Sequence, residues 1–170
     1  MTDPHPAKAT PIPLPSRIPY IESLGVELLE MADGRAVATM TPQPEHLNSW
    51  ELVHGGVLMA LLDFAMAMAG RSAWRPREGG GGGDGAAALP TAAPASTIAA
   101  EPAPPAPSDQ GNLTVEMKTS FLRPARSRLT VTGRCLQSGR SLSFCEADIV
   151  DADGALVARA SGTFKFWSKR

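Results

Sequence analysis

Between Leu52 and Gly70 the chain reads LVHGGVLMALLDFAMAMAG, and only two of those side chains ionise, His54 and Asp63. Val57, Leu58, Met59, Leu61, Leu62, Phe64, Met66 and Met68 fall on every side of a helical wheel. The pattern predicts a helix from about His54 to Ala73 that is buried all round rather than amphipathic. A carboxylate in the middle of such a helix is costly unless it is paired, protonated or used in chemistry. At the other end, His54-Gly55-Gly56 presents unsatisfied N–H groups and the positive pole of the helix, with no side chain at two positions to block an approaching oxygen. An amide cradle and a lone acid on one buried helix are the parts that acyl transfer needs.

The spacing of those parts adds a constraint. Gly55 and Asp63 are eight residues apart, roughly 12 Å along a straight helix. His54 and Asp63 are nine apart and face opposite ways. One helix therefore cannot bring its amide donors and its own acid to the same carbonyl. Two antiparallel copies can, with Gly55 of one facing Asp63 of the other, so the expectation is a homodimer with shared sites.

The rest of the chain supplies a wrapping for this helix. Residues 1 to about 15 carry five prolines and are expected to form a disordered tail. Ser16 to Leu24 reads as a short helix that packs Ile18, Ile21 and Leu24. Gly25–Met31 and Gly34–Met40 read as two strands joined through Asp33-Gly34, a hairpin signal. Trp74 to Gln110 is low-complexity, with five consecutive glycines followed by an alanine-proline run, and reads as an insertion over about 75–110. Loop closure entropy grows by only about 0.6 kcal/mol per doubling of length, so a fold can carry it. Asn112–Leu122 alternates, with Leu113, Val115, Met117 and Phe121 on one side. Ser127–Gln137 alternates too. Ser141–Val150 changes phase, which predicts a bulge near Phe144. Ala155–Trp167 is the last strand. One long central helix wrapped by a curved antiparallel sheet is an α+β fold, and residues 16–170 form a single domain.

Composition narrows the function. The net charge of -1 offers no footprint for nucleic acid. Arg123, Arg126, Arg128, Arg134 and Arg140 make the C-terminal half locally basic, which suits a phosphate-bearing ligand or simply a solvated strand face. The two cysteines, Cys135 and Cys145, flank a Ser138-Gly139-Arg140 turn as cross-strand neighbours; buried free thiols are expected rather than a disulfide framework or a metal site. The first nineteen residues lack a secretory h-region, and Asp63 interrupts the one run that approaches a membrane span. A cytoplasmic protein with no membrane partner is expected. There is no G-x-S-x-G elbow and no H-E-x-x-H, and neither a cofactor nor a metal is called for.

The element order, with Asn48, then His54-Gly55-Gly56 opening the helix, then Asp63, resembles the hotdog-fold acyl-CoA thioesterases, most nearly the phenylacetic-acid-degradation (PaaI-type) branch. The strand LTVEMKTSFLRPAR, Leu113 to Arg126, resembles the strand ending in a Pro-Ala step that such proteins carry after the helix. The resemblance runs from about Ile18 to Trp167, apart from the insertion, where relatives have a short loop. It implies that Asp63 acts as nucleophile or as general base on water. It implies that the Gly55 N–H polarises the thioester carbonyl and that Asn48 positions water or substrate. It implies too that His54 supports the loop and contacts the thioester region, and that Thr114 places a hydroxyl near the acid. Gly139, Arg140 and Ser141, together with Arg123, resemble the surface that receives the phosphates of coenzyme A. The substrate implied is an acyl-CoA, and the assembly a homodimer that pairs into a tetramer.

Blander roles stand beside these. Gly55 and Gly56 also suit tight helix packing, and His54 a helix cap. Asn48 suits a turn, and Thr114 is an ordinary strand residue. Trp50, near the helix mouth, is a candidate for lining an acyl pocket or for packing the loop. Two other functions fit the same frame: a non-catalytic module that binds acyl-CoA, and a hotdog enoyl-thioester hydratase. The hydratase would need a histidine and a carboxylate meeting at one carbon.

Overall fold

The computed structural model describes residues 10–74 and 110–168. The expected insertion lies outside the described residues up to position 109, as do residues 1–9 of the expected tail. Of residues 10–15, Ile12 donates its N–H to the Leu28 carbonyl at 2.8 Å, and Leu14 rests against the core.

Six strands form one antiparallel sheet around one long helix. In chain order the elements are α1 (Pro19–Ser23), β1 (Glu27–Ala32), β2 (Arg35–Met40), α2 (Gly55–Ala73), β3 (Gln110–Phe121), β4 (Leu129–Ser138), β5 (Leu142–Val150) and β6 (Leu156–Ser168). The spatial order is β1-β2-β4-β5-β6-β3, which leaves β1 and β3 as edges. The β1–β2 hairpin closes on Asp33 and Gly34, both left-handed at φ 45° and 79°. Two such residues make the turn whose twist matches that of the flanking strands. Helix α1 is shorter than the expected Ser16–Leu24: it begins at Pro19 and buries Ile21, while Leu24 is buried at its C-cap and Ile18, at its N-cap, is partly buried against the core.

Helix α2 touches all six strands. It lies closest to β4 at Gly133, where any Cβ would come within 2.2 Å of the Ala65 carbonyl oxygen. Only glycine lets the two backbones approach so far. Leu61, Leu62 and Met66 of α2 pack with Leu28, Met40, Leu129 and Phe164 of the sheet, all fully buried. Each such side chain stabilises the fold by about 1.5–3 kcal/mol. By length and apolarity alone, α2 passes as a membrane span despite Asp63. Here the sheet covers one side of it and leaves another open.

Three expectations are corrected by the packing. The helix is not buried all round: Gly56 is exposed, Met59 is 40% exposed and Asp63 is half-buried. At spacings of three and four residues these form one open stripe beside the β3 edge. In β3, the register shifts between Thr114 and Glu116, so the strand does not keep one phase. Asn112 and Thr114 reach the helix, whereas Leu113 and Val115 are 52% and 58% exposed. Finally, the bulge expected near Phe144 lies on the neighbouring strand. Strand β5 alternates without a break, and the extra residue is Leu136 of β4, between Cys135 and Gln137.

Candidate active site

The loop before α2 is held from two sides. Leu47 and Val53 pair across it, and the His54 N–H donates to the His46 carbonyl at 2.8 Å. On the other side, the Val53 N–H donates at 2.9 Å to the carbonyl of Ala125, in the Pro-Ala step after β3. Asn48 organises the interior of the loop: its Oδ1 accepts from the N–H of Trp50 at 2.9 Å and of Leu52 at 3.2 Å. That is a turn-forming role. Trp50 itself is 78% exposed.

The first turn of α2 then sorts its amides. The His54 carbonyl accepts from Val57 at 2.9 Å and Leu58 at 3.2 Å. Its ring Nδ1 accepts the Gly56 N–H at 2.9 Å, capping the helix. Gly55 alone in this turn keeps an N–H with no acceptor among the described residues. An unsatisfied amide at the positive helix end is suited to an oxygen that gains negative charge. The Phe121 ring stands 3.5 Å from where a Gly55 Cβ would be. Phe121 was legible as an apolar strand residue, but nothing in the sequence marks it as a neighbour of Gly55.

Two turns further along α2, Asp63 meets Thr114 of β3, whose hydroxyl donates to its Oδ1 at 2.7 Å. Burial pushes the carboxyl above its ordinary value of 3.8, and the Thr114 hydroxyl pulls it partly back. No cation pairs with it among the described residues. An acid so placed has a weakly solvated carboxylate, which raises its basicity.

The predicted residues thus fall into separate groups within one chain. Asn48, Trp50, His54, Gly55 and Gly56 lie at the mouth of α2, while Asp63 and Thr114 lie roughly 12 Å further along its axis. Arg123 sits past the end of β3, donating its backbone N–H to Val157 at 3.1 Å and Nη1 to the Leu156 carbonyl at 2.8 Å. Gly139, Arg140 and Ser141 form the exposed β4–β5 turn, where Ser141 accepts from the Phe166 N–H at 2.9 Å. Val157 and Phe166 are at opposite ends of β6, roughly 30 Å apart at strand rise. A single chain therefore does not assemble Arg123 and that turn into one surface. A polar cavity of about 420 Å³ lies between α1 and the loop around His46, lined by Glu22, Glu27, Glu45 and Arg128 among others, and no predicted site residue borders it.

Comparison with known proteins follows the same outline. The model of the thioesterase superfamily matches residues 51–158. A candidate esterase of Saccharolobus solfataricus is 26% identical over 142 residues, 83% of this chain and 78% of that protein. The acyl-coenzyme A thioesterase PaaI of Escherichia coli is 42% identical over 48 residues, 28% of this chain. That match spans 34% of PaaI's own length, and a match to a candidate esterase of Archaeoglobus fulgidus likewise spans 33% of that relative. Among solved structures, E. coli PaaI superposes with a TM-score of 0.62 at 23% identity, covering 86% of this chain and 82% of PaaI. A Haemophilus influenzae thioesterase superposes with a TM-score of 0.64 at 17% identity, covering 88% and 82%. The hotdog architecture of helix and sheet is common to them.

Proposed function

Because the chain belongs to the thioesterase superfamily, we propose that it hydrolyses an acyl-CoA thioester to the free acid and CoA, in a site shared by two copies of the chain. The observation that carries this reading is the pairing of one unspent amide, that of Gly55, with one half-buried acid, Asp63, on a single helix that holds them too far apart to cooperate. The open stripe Gly56–Met59–Asp63 beside the β3 edge supports a second copy laid against it. Edge strands present unpaired backbone groups, and Leu113 and Val115 add exposed apolar side chains.

In this reading the Gly55 N–H of one copy hydrogen-bonds the thioester carbonyl oxygen and stabilises the charge that forms there. Asp63 of the other copy supplies the oxygen in one of two ways. It attacks the carbonyl carbon, giving a mixed anhydride that water opens, or it takes a proton from a water that attacks directly. Either route adds one water, breaks the C–S bond and releases the CoA thiol. Thr114 holds the carboxylate in place. The exposed Arg140, in the β4–β5 turn, is available for a CoA phosphate, as is Arg123 from the other end of the sheet of a neighbouring copy. Pairing of dimers into tetramers rests on the resemblance alone.

Hydration of an enoyl thioester is disfavoured because the Nδ1 lone pair of His54 is committed to the Gly56 N–H as a helix cap. The deciding experiment is thiol release from a panel of aromatic and aliphatic acyl-CoA esters by wild type and Asp63→Asn. The variant is expected to lose about 10²–10⁴-fold in kcat, the usual worth of a general base. Equal turnover by the two proteins would remove Asp63 from the chemistry, and CoA-ester binding with no thiol released by either would make the protein a binding module.

A further inference from the structure

Strands β4 and β5 place the protein's two cysteines directly opposite one another, Cys135 against Cys145. The Cys135 N–H donates away from β5, to the Gly34 carbonyl at 2.7 Å. In an antiparallel sheet a residue's N–H and C=O point to the same side, so this is a non-hydrogen-bonded pair with respect to β5. Such pairs have Cα atoms about 4.5 Å apart, inside the 4.4–6.8 Å span that a disulfide bridges. The Leu136 bulge follows immediately. Cys145 is 1% exposed, and its sulfur lies 3.3 Å from where a Cβ at Gly70 would be. Cys135 is only half-buried.

From this juxtaposition we propose that Cys135 and Cys145 are a peroxide-reactive dithiol that closes to an intramolecular disulfide beneath the last turns of α2. The half-buried Cys135 is the attacking sulfur. The interaction between the two thiols holds that of Cys135 below its ordinary range and, together with burial, pushes that of Cys145 up. The Cys135 thiolate attacks one peroxide oxygen, forming a sulfenic acid and releasing the other oxygen as hydroxide, which a proton converts to water. The Cys145 sulfur then attacks the Cys135 sulfur and expels a second water. Two thiols are oxidised by two electrons in all, and one peroxide is reduced to two waters. The product ties β4 to β5 at the contact with Gly70, on the helix that carries Asp63. Nothing in this step depends on thioester hydrolysis.

The test uses the full chain, reduced and then exposed to hydrogen peroxide at a few equivalents under native conditions. Thiols titrated after denaturation should fall from two to none, with a mass loss of 2 Da and a Cys135–Cys145 cross-linked peptide that dithiothreitol removes. The yield should not depend on protein concentration. Cys145→Ser should instead accumulate a sulfenic acid at Cys135, trapped by dimedone, and Cys135→Ser should leave Cys145 unreactive. Retention of both thiols, over-oxidation of Cys135 without a bridge, or a disulfide that joins two chains would each overturn the proposal. So would dimedone labelling at Cys145 in place of Cys135.

Discussion

Asp63 sits where its charged form is disfavoured. Burial raises its pKa and the single hydroxyl of Thr114 lowers it again, with burial the larger effect. If the ionised form does the work, turnover climbs with pH through an apparent pKa above 3.8. Removing the hydroxyl in Thr114→Val should move that acid limb to higher pH while leaving the plateau far less affected, and pH–rate profiles of kcat/KM would register the shift. A limb that stays in place would mean that Thr114 does not tune the acid. The same imbalance bears on stability. The folded pKa is raised, so the folded state holds its proton over a range where the unfolded chain has lost it. The associated stability is full below the unfolded value and is lost as pH rises through the folded value. Asp63→Asn should therefore melt at a higher temperature than wild type near neutral pH, with the gap closing in acid. A variant no more stable than wild type at neutral pH would show that the carboxylate is well compensated. Asp63 itself is legible in the sequence as the one acid in an apolar run. Its hydrogen bond to Thr114 was not derivable from strand alternation, because the bulge between Thr114 and Glu116 decides which β3 side chains reach the helix.

At the scale of the element, α2 begins by assigning each amide an acceptor except one. This makes Gly55 testable with an unusual substitution. Proline is accepted at the first position of a helix, where its missing N–H breaks no helical bond. His54 already has φ -61° and ψ 137°, the extended conformation that a residue before proline prefers. A Cβ at position 55 would meet Phe121 at 3.5 Å, an ordinary contact. Gly55→Pro should therefore keep the fold and the melting temperature nearly unchanged while removing the free donor. Loss of one such donor costs about 10²–10³-fold in kcat, measurable against Gly55→Ala, which keeps the N–H and should retain most activity. Equal losses in the two variants would point to packing rather than to the amide. Local signals made this element readable: the glycine pair behind His54, the apolar run, and Asp33-Gly34 for the hairpin beneath it. Bulges were not readable in the same way. Leu136 is extra only relative to β5, and no pattern within β4 announces that.

At the scale of the whole molecule, the proposed mechanism gives one chain two half-sites, with the open helix stripe and the β3 edge as the surfaces on which a second copy would complete them. The sequence allowed this much because helix geometry separates Gly55 from Asp63 whatever surrounds them. It could not join Arg123 to the Gly139–Ser141 turn, since their positions depend on strand order across the sheet. A complementation experiment isolates the sharing. Asp63→Asn keeps the amide and lacks the acid; Gly55→Pro keeps the acid and lacks the amide. In a two-fold dimer of one chain of each kind, one site receives both intact groups and the other receives neither. Half of a randomly reassorted equal mixture is heterodimer, so unfolding and refolding the two variants together should restore about one quarter of wild-type activity. Each variant refolded alone should stay inactive. If both groups served within a single chain, no pairing could rescue either defect and the mixture would be as inactive as its parts. Recovery near a quarter, lost again when Val115→Lys is added to both chains to charge the β3 edge, would tie the chemistry to that interface.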